Sequence, residues 1–175
     1  MKSIIVIVAL LFIVAISVNA QKGNNQIGIA AQMGLPTGHF ESNFKTGYGG
    51  SLKGLWGIGK TGQLTFTTGY TSFKSKGDLY HNFGASSIIP FLAGYRLQKN
   101  NFYVEPQVGY GLYILKIKVF GQKMSESDGA FTYAIGIGYA KNGFDLGVRY
   151  QGANKGSNDI TIVGIRLGYN ISFKK

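Results

Sequence analysis

Between Gln26 and Lys174 the chain repeats one pattern eight times, a short run in which apolar and polar side chains alternate. Residues 144–151 carry it most cleanly. Phe144, Leu146, Val148 and Tyr150 fall on one side of an extended segment, and Asp145, Gly147, Arg149 and Gln151 on the other, because successive side chains of a strand point to opposite faces. The same periodicity predicts strands over 26–36, 47–58, 63–73, 86–97, 102–114, 128–140, 144–151 and 160–173. The connections alternate in length. Those at 59–62, 98–101 and 141–143 are tight turns, and Lys141-Asn142-Gly143 is a strong hairpin signal because Asn and Gly accept positive φ. Those at 37–46, 74–85, 115–127 and 152–159 are longer, polar and Lys-rich.

The chemistry of the two faces runs opposite to that of a soluble protein. Strand 160–173 shows Val163, Ile165, Leu167, Tyr169, Ile171 and Phe173 on one face against Gly164, Arg166, Gly168, Asn170 and Ser172 on the other. Where the polar face is charges and glycines and the apolar face is flanked by aromatics, the apolar face suits lipid. Aromatic residues collect at both strand ends, for example Trp56, Tyr95 and Phe102 at one rim and Tyr48, Tyr70 and Tyr150 at the other, as in the girdles of membrane barrels. The fold expected is all-β, an eight-stranded antiparallel up-and-down transmembrane β-barrel. Such a barrel is barely wide enough to be filled by side chains. Lys53, Arg96, Tyr103, Glu105, Gln107, Tyr113, Asp145, Arg149 and Arg166 are the long residues expected inside, with glycines making room. Buried charges must be paired, so Lys53, Arg96, Glu105, Asp145, Arg149 and Arg166 are predicted to form a salt-bridge network, with Asp145 opposite Arg166 and Glu105 diagonal to Arg96. The soluble alternative is a lipocalin-like carrier of an apolar ligand, for which Gly54 and Trp56 supply a Gly-x-Trp, although on the second strand and with no C-terminal helix after it.

The first 20 residues are a different material. Lys2 precedes an apolar run from Ile4 to Ile16, and Ser17-Val18-Asn19-Ala20 ends it with small or modest residues. This is the layout of a cleaved signal peptide, giving 1–20 as signal and 21–175 as the barrel domain. The chain has no cysteine, which excludes disulfides and thiol chemistry. Its formal net charge of +11 would suit nucleic acid in another setting. For an exported barrel no nucleic acid is expected, and anionic lipid headgroups are the natural counter-charge. The seven carboxylates make no metal or glycosidase pair. Gly57-Ile-Gly-Lys60-Thr61 lacks the spacing of a phosphate loop. No cofactor, metal or catalytic residue is assigned.

The chain ends Arg166-Leu-Gly-Tyr-Asn-Ile-Ser-Phe173. Gly168, Ile171 and Phe173 resemble the C-terminal sorting signal of bacterial outer-membrane barrels; Lys174 and Lys175 depart from it, since that family often stops at the aromatic. With the leader and eight strands, the chain resembles the small eight-stranded outer-membrane β-barrel family of the OmpX and opacity-protein kind. The resemblance implies insertion by the barrel-assembly machinery and contact with outer-membrane lipids and lipopolysaccharide. It also implies an adhesion or envelope-integrity role in which the outer loops meet a surface ligand or envelope protein. No open pore is expected, because side chains fill so narrow a lumen; the alternative is an ion-selective pore lined by charge. Lys45, Lys74, Lys76, Lys116, Lys118, Lys123 and Lys155 are the loop lysines expected to face lipopolysaccharide. The rival within the fold is an enzyme that modifies lipid A, which needs a histidine near a serine. His39 and His81 both fall in predicted outer loops, and His81 with Asp78, Ser86 and Ser87 matches no defensible spacing.

Overall fold

The computed structural model describes residues 25–58, 61–76, 83–119, 122–154 and 159–173. The segment read as a signal peptide lies outside them, as do Asp78, His81, Lys155, Lys174 and Lys175. Eight strands follow in chain order: β1 Asn25–Thr37, β2 Phe44–Ile58, β3 Gly62–Ser75, β4 Phe83–Lys99, β5 Phe102–Val119, β6 Gln122–Lys141, β7 Phe144–Ala153 and β8 Ile160–Phe173. Among the described residues one short helix, α1, spans His39–Asn43. Each strand pairs antiparallel with its sequence neighbours, and β1 pairs with β8 from Asn25↔Phe173 to Thr37↔Thr161, so the sheet closes. Closure leaves no unpaired edge.

The tight turns are set by residues that tolerate left-handed backbone. Asn142 (φ 53°) and Gly143 (φ 88°) link Lys141 to Phe144. Asn100 (φ 58°) begins the turn between Lys99 and Phe102. These are two-residue connections whose twist matches that of the strands they join.

The opposite end differs from expectation. The strands outrun the predicted loops. The stretch read as a loop over 115–127 is mostly hairpin, paired out to Val119↔Gln122. The β-prone alternation simply continues through Leu115, Ile117 and Val119. Lys116, Lys118 and Lys123 therefore sit on strands, and Lys45 and Lys74 on the ends of β2 and β3. The loop expected at 37–46 contains α1, and β2 already begins at Phe44.

The outer face of the barrel is apolar. Ile29, Val108, Ile137, Leu146 and Leu167 are among the large hydrophobic residues left exposed there, and a surface of this extent suits hydrocarbon rather than water. The inside is layered. Its turn-end half is polar and charged. At the loop end Phe40, Phe44, Phe73, Ile88, Tyr113 and Ile162 form one buried cluster. The Phe40 ring lies 4.6 Å from that of Phe44 and 5.3 Å edge-on from that of Phe73. The long inward residues expected from sequence were charged, polar or tyrosine; instead aromatic rings stopper this end, Phe40 from α1, Phe44 from the start of β2 and Phe73 from β3. Truncating Phe73, which is 1 % exposed, should lower stability by about 3–5 kcal/mol, read from the urea unfolding midpoint of micelle-folded Phe73→Ala.

Candidate functional site: the charged lumen and the loop end

Five of the six residues predicted to pair inside the barrel meet in one cluster. Glu105 on β5 accepts hydrogen bonds from Lys53 Nζ on β2 at 2.8 Å to both oxygens, and from Arg96 Nε on β4 at 2.8 Å. Thr65 Oγ1 and Gln107 Nε2 add bonds at 3.0 and 2.9 Å. Asp145 on β7 accepts from Arg96 Nη2, Arg166 Nη1 and Asn170 Nδ2, each at 3.0 Å, and from the Tyr103 hydroxyl at 2.7 Å. Arg96 thus joins the two carboxylates, and its guanidinium also lies 3.6 Å over the Tyr103 ring. Arg96 and Asp145 are both fully buried.

Local structure explains why these side chains converge. Strand alternation turns Lys53, Arg96, Glu105, Asp145 and Arg166 to the same side of the sheet. Glycines open the space they occupy. A Cβ at Gly138 or Gly147 would strike the Tyr103 hydroxyl, so only the bare backbone lets that ring lie flat against β6 and β7.

The pairings form with a different register from the one expected. Asp145 lies opposite Gly168, and Gly147 opposite Arg166. The offset is two residues, which preserves the facing of every side chain, and the long Arg166 side chain spans it. Arg96 and Glu105 are bracketed by Leu97↔Val104 and Gly94↔Gln107, which sets them across from each other rather than diagonally.

Arg149, the sixth predicted member, points inward but makes no ion pair among the described residues. It lines a small cavity with Gln32, Thr71 and Arg166. At the turn end a wider cavity of about 610 Å³ is bordered by Gln26, Gln98, Asn101, Lys141 and Asn170.

Of the predicted loop lysines, Lys45, Lys74 and Lys76 are exposed at the loop end. His39 opens α1, while Ser86 and Ser87 are buried in β4, where Ser87 Oγ meets the Tyr70 hydroxyl at 2.8 Å. Sequence reasoning missed the aromatic stopper. Its one signal was that Phe73, Ile88 and Leu92 fall on the same strand parity as Thr71 and Arg96, the lumen side.

A family model described as the outer membrane protein beta-barrel domain matches residues 8–173. The chain belongs to that family. Comparison with curated proteins found no match. Among solved structures, this outer-membrane barrel is similar to Ail, the attachment invasion locus protein of Yersinia pestis, with a TM-score of 0.66 at 16 % identity over 86 % of this chain and 100 % of that one. It is also similar to the N-terminal β-barrel domain of Pseudomonas aeruginosa OprF, with a TM-score of 0.62 at 14 % identity over 86 % of this chain and 100 % of that one. Neisserial surface protein A gives 0.56 at 15 % identity, over 85 % and 97 %. At these identities the likeness is one of fold. In such outer-membrane barrels the short turns face the periplasm and the longer connections face outward, which puts the charged cluster of this chain toward the periplasm and its aromatic stopper toward the outside.

Removing the charge of Asp145 while keeping its shape strands Arg166 and leaves Arg96 with Glu105 alone. Asp145→Asn should cost about 3–5 kcal/mol. The check is its urea unfolding midpoint against wild type, alongside the heat-dependent gel mobility of the folded barrel.

Proposed function

We propose that this outer-membrane barrel is a sealed, non-enzymatic scaffold that holds its outer loops against the anionic cell surface, in an adhesion or envelope-integrity role. The observation that carries the reading is the filled lumen. Two carboxylates and three cations lock its periplasmic half, and the aromatic cluster plugs its outer half. A conducting pore needs a wet path, and an eight-stranded wall leaves little room for one once side chains interlock. The burial of Ser86 and Ser87 argues against a serine nucleophile there. Signal-peptide removal ahead of Gln21 and insertion by the barrel-assembly machinery, with Gly168, Ile171 and Phe173 as the terminal signal, complete the proposed route to the membrane.

The proposed partner chemistry is anionic. Lysines near an anionic membrane surface gain about 1 kcal/mol each. Lys45, Lys74 and Lys76 stand exposed at the loop end, and Lys116, Lys118, Lys123 and Lys155 belong to the outward hairpin and loop in sequence. Support of the same kind comes from Ail, whose structure is known in complex with the heparin analogue sucrose octasulfate, at 17 % identity to this chain and a TM-score of 0.63.

Purified protein in a planar lipid bilayer should give no stable single-channel current; steady conductance steps would overturn the sealed reading. Replacing the seven lysines by Gln should weaken binding to lipopolysaccharide-containing vesicles about tenfold or more, measured by co-sedimentation at low salt. Unchanged binding would remove lipopolysaccharide as the counter-surface.

A further inference from the structure

Charge is divided unevenly between the two ends of the barrel. In sequence the loop end holds seven lysines and five carboxylates, Glu41, Asp78, Glu126, Asp128 and Asp159. The turn end holds Lys60, Lys99 and Lys141, one for each tight turn, and Lys174 and Lys175 after β8, with no carboxylate. The two remaining carboxylates, Glu105 and Asp145, are spent inside the lumen. Net positive charge outside the lumen is therefore concentrated at the turn end, away from the loop lysines.

Two of these lysines repeat one arrangement. Lys99 lies abreast of Phe102, which lies abreast of Tyr139. Lys141 lies abreast of Phe144, which lies abreast of Tyr169. The rings of each pair meet edge-on, at 5.3 Å for Phe102 with Tyr139 and 5.4 Å for Phe144 with Tyr169. Strand alternation sets both lysines on the outward face, since Lys99 shares the parity of the exposed Leu97 and Lys141 that of the exposed Tyr139. Both lysines are exposed, and neither makes an ion pair among the described residues. Phe102 and Phe144 are 68 % and 64 % exposed, bare rings at the rim where aromatics meet headgroups. A lysine at that depth lays its stem along apolar surface and holds its ammonium among the phosphates. The face is outward, so it meets the membrane and not the water below the turns. The leaflet at this end is the periplasmic one, built of phospholipid. β4 and β6 stand two strand spacings apart, about 10 Å, so Lys99 and Lys141 can serve adjacent headgroups.

We propose that Lys99 and Lys141, each beside its edge-on aromatic pair, form a binding strip for anionic phospholipid of the phosphatidylglycerol class in the periplasmic leaflet. The ammonium groups hold a headgroup phosphate that has no cation of its own, and the rings pack on the glycerol and upper acyl chains. A carboxylate-free turn end favours such a lipid over a zwitterionic one. The strip lies at the opposite end from the loop lysines, so it stands whether or not those meet lipopolysaccharide.

Trp56 on β2 is the one tryptophan of the chain, which allows a local reporter. The double substitution Trp56→Phe/Phe102→Trp sets a single indole between Lys99 and Lys141. In vesicles free of lipopolysaccharide, brominated phosphatidylglycerol should quench that indole with about fivefold preference over brominated phosphatidylcholine. The preference should fall to near one at high salt and when Lys99→Gln/Lys141→Gln is added to the reporter. It should survive Lys45→Gln/Lys74→Gln/Lys76→Gln at the loop end. Lys99→Gln and Lys141→Gln singly should each lower it part-way, which covers the case in which the paired variant fails to fold. Equal quenching by the two lipids in the reporter overturns the proposal and leaves these lysines to an aqueous periplasmic partner. A preference that persists without Lys99 and Lys141 overturns it, as does one lost equally in the loop-end variant, which makes it an effect of net charge alone.

Discussion

Hydrocarbon offers no partner to a backbone N–H or C=O, so every strand of this chain must find both of its neighbours within the chain. The closing seam of β1 with β8 meets that demand, and much else follows from it. Eight strands close on a narrow bore. The face turned away from lipid then cannot simply be wet. Its side chains have to fill the space and satisfy one another, which turns the polar face of an ordinary amphipathic sheet into a core made of charge.

That core works because Arg96 is shared. Its fork reaches Glu105 and Asp145 together, so each carboxylate answers more than one cation and no single pair carries the desolvation cost alone. Bidentate, always-charged arginine suits this position in a way lysine does not. Tyr103 adds its ring beneath the guanidinium and its hydroxyl to Asp145, tying β5 to β7 across the bore. The arrangement cross-links strands that are not sheet neighbours, which stiffens the periplasmic half.

The outer half solves the same filling problem with apolar rings. Phe40 comes from α1, not from the wall. The first outer connection is therefore folded into the barrel mouth and packed against β2 and β3. This anchors the base of the loop-end surface, and it joins the filling of that half of the lumen to the placing of the first connection as one packing event.

Much of this was legible in the chain. Alternation with a period of two fixes which residues share a face, and so Lys53, Arg96, Glu105, Asp145, Arg149 and Arg166 could be placed inside from sequence. Asn142 and Gly143 announced their turn through their tolerance of positive φ. Register was a different matter. A two-residue slip leaves every residue on its own face, so the pattern cannot choose between Asp145 opposite Arg166 and Asp145 opposite Gly168. The turns, the loop lengths and closure around the whole barrel make that choice. Loop boundaries were equally open, because the β-prone run beyond Leu115 forms a hairpin only when β6 lies alongside it. Nor does parity say what an apolar residue on the inward face will touch: Phe40, Phe73, Ile88 and Ile162 lie far apart along the chain and become one cluster only on closure. Local periodicity depends on a residue and its neighbours and is written in the sequence. Which inward side chains meet across the bore, and which arginine finds no carboxylate among the described residues, depends on distances that exist only once the sheet has closed.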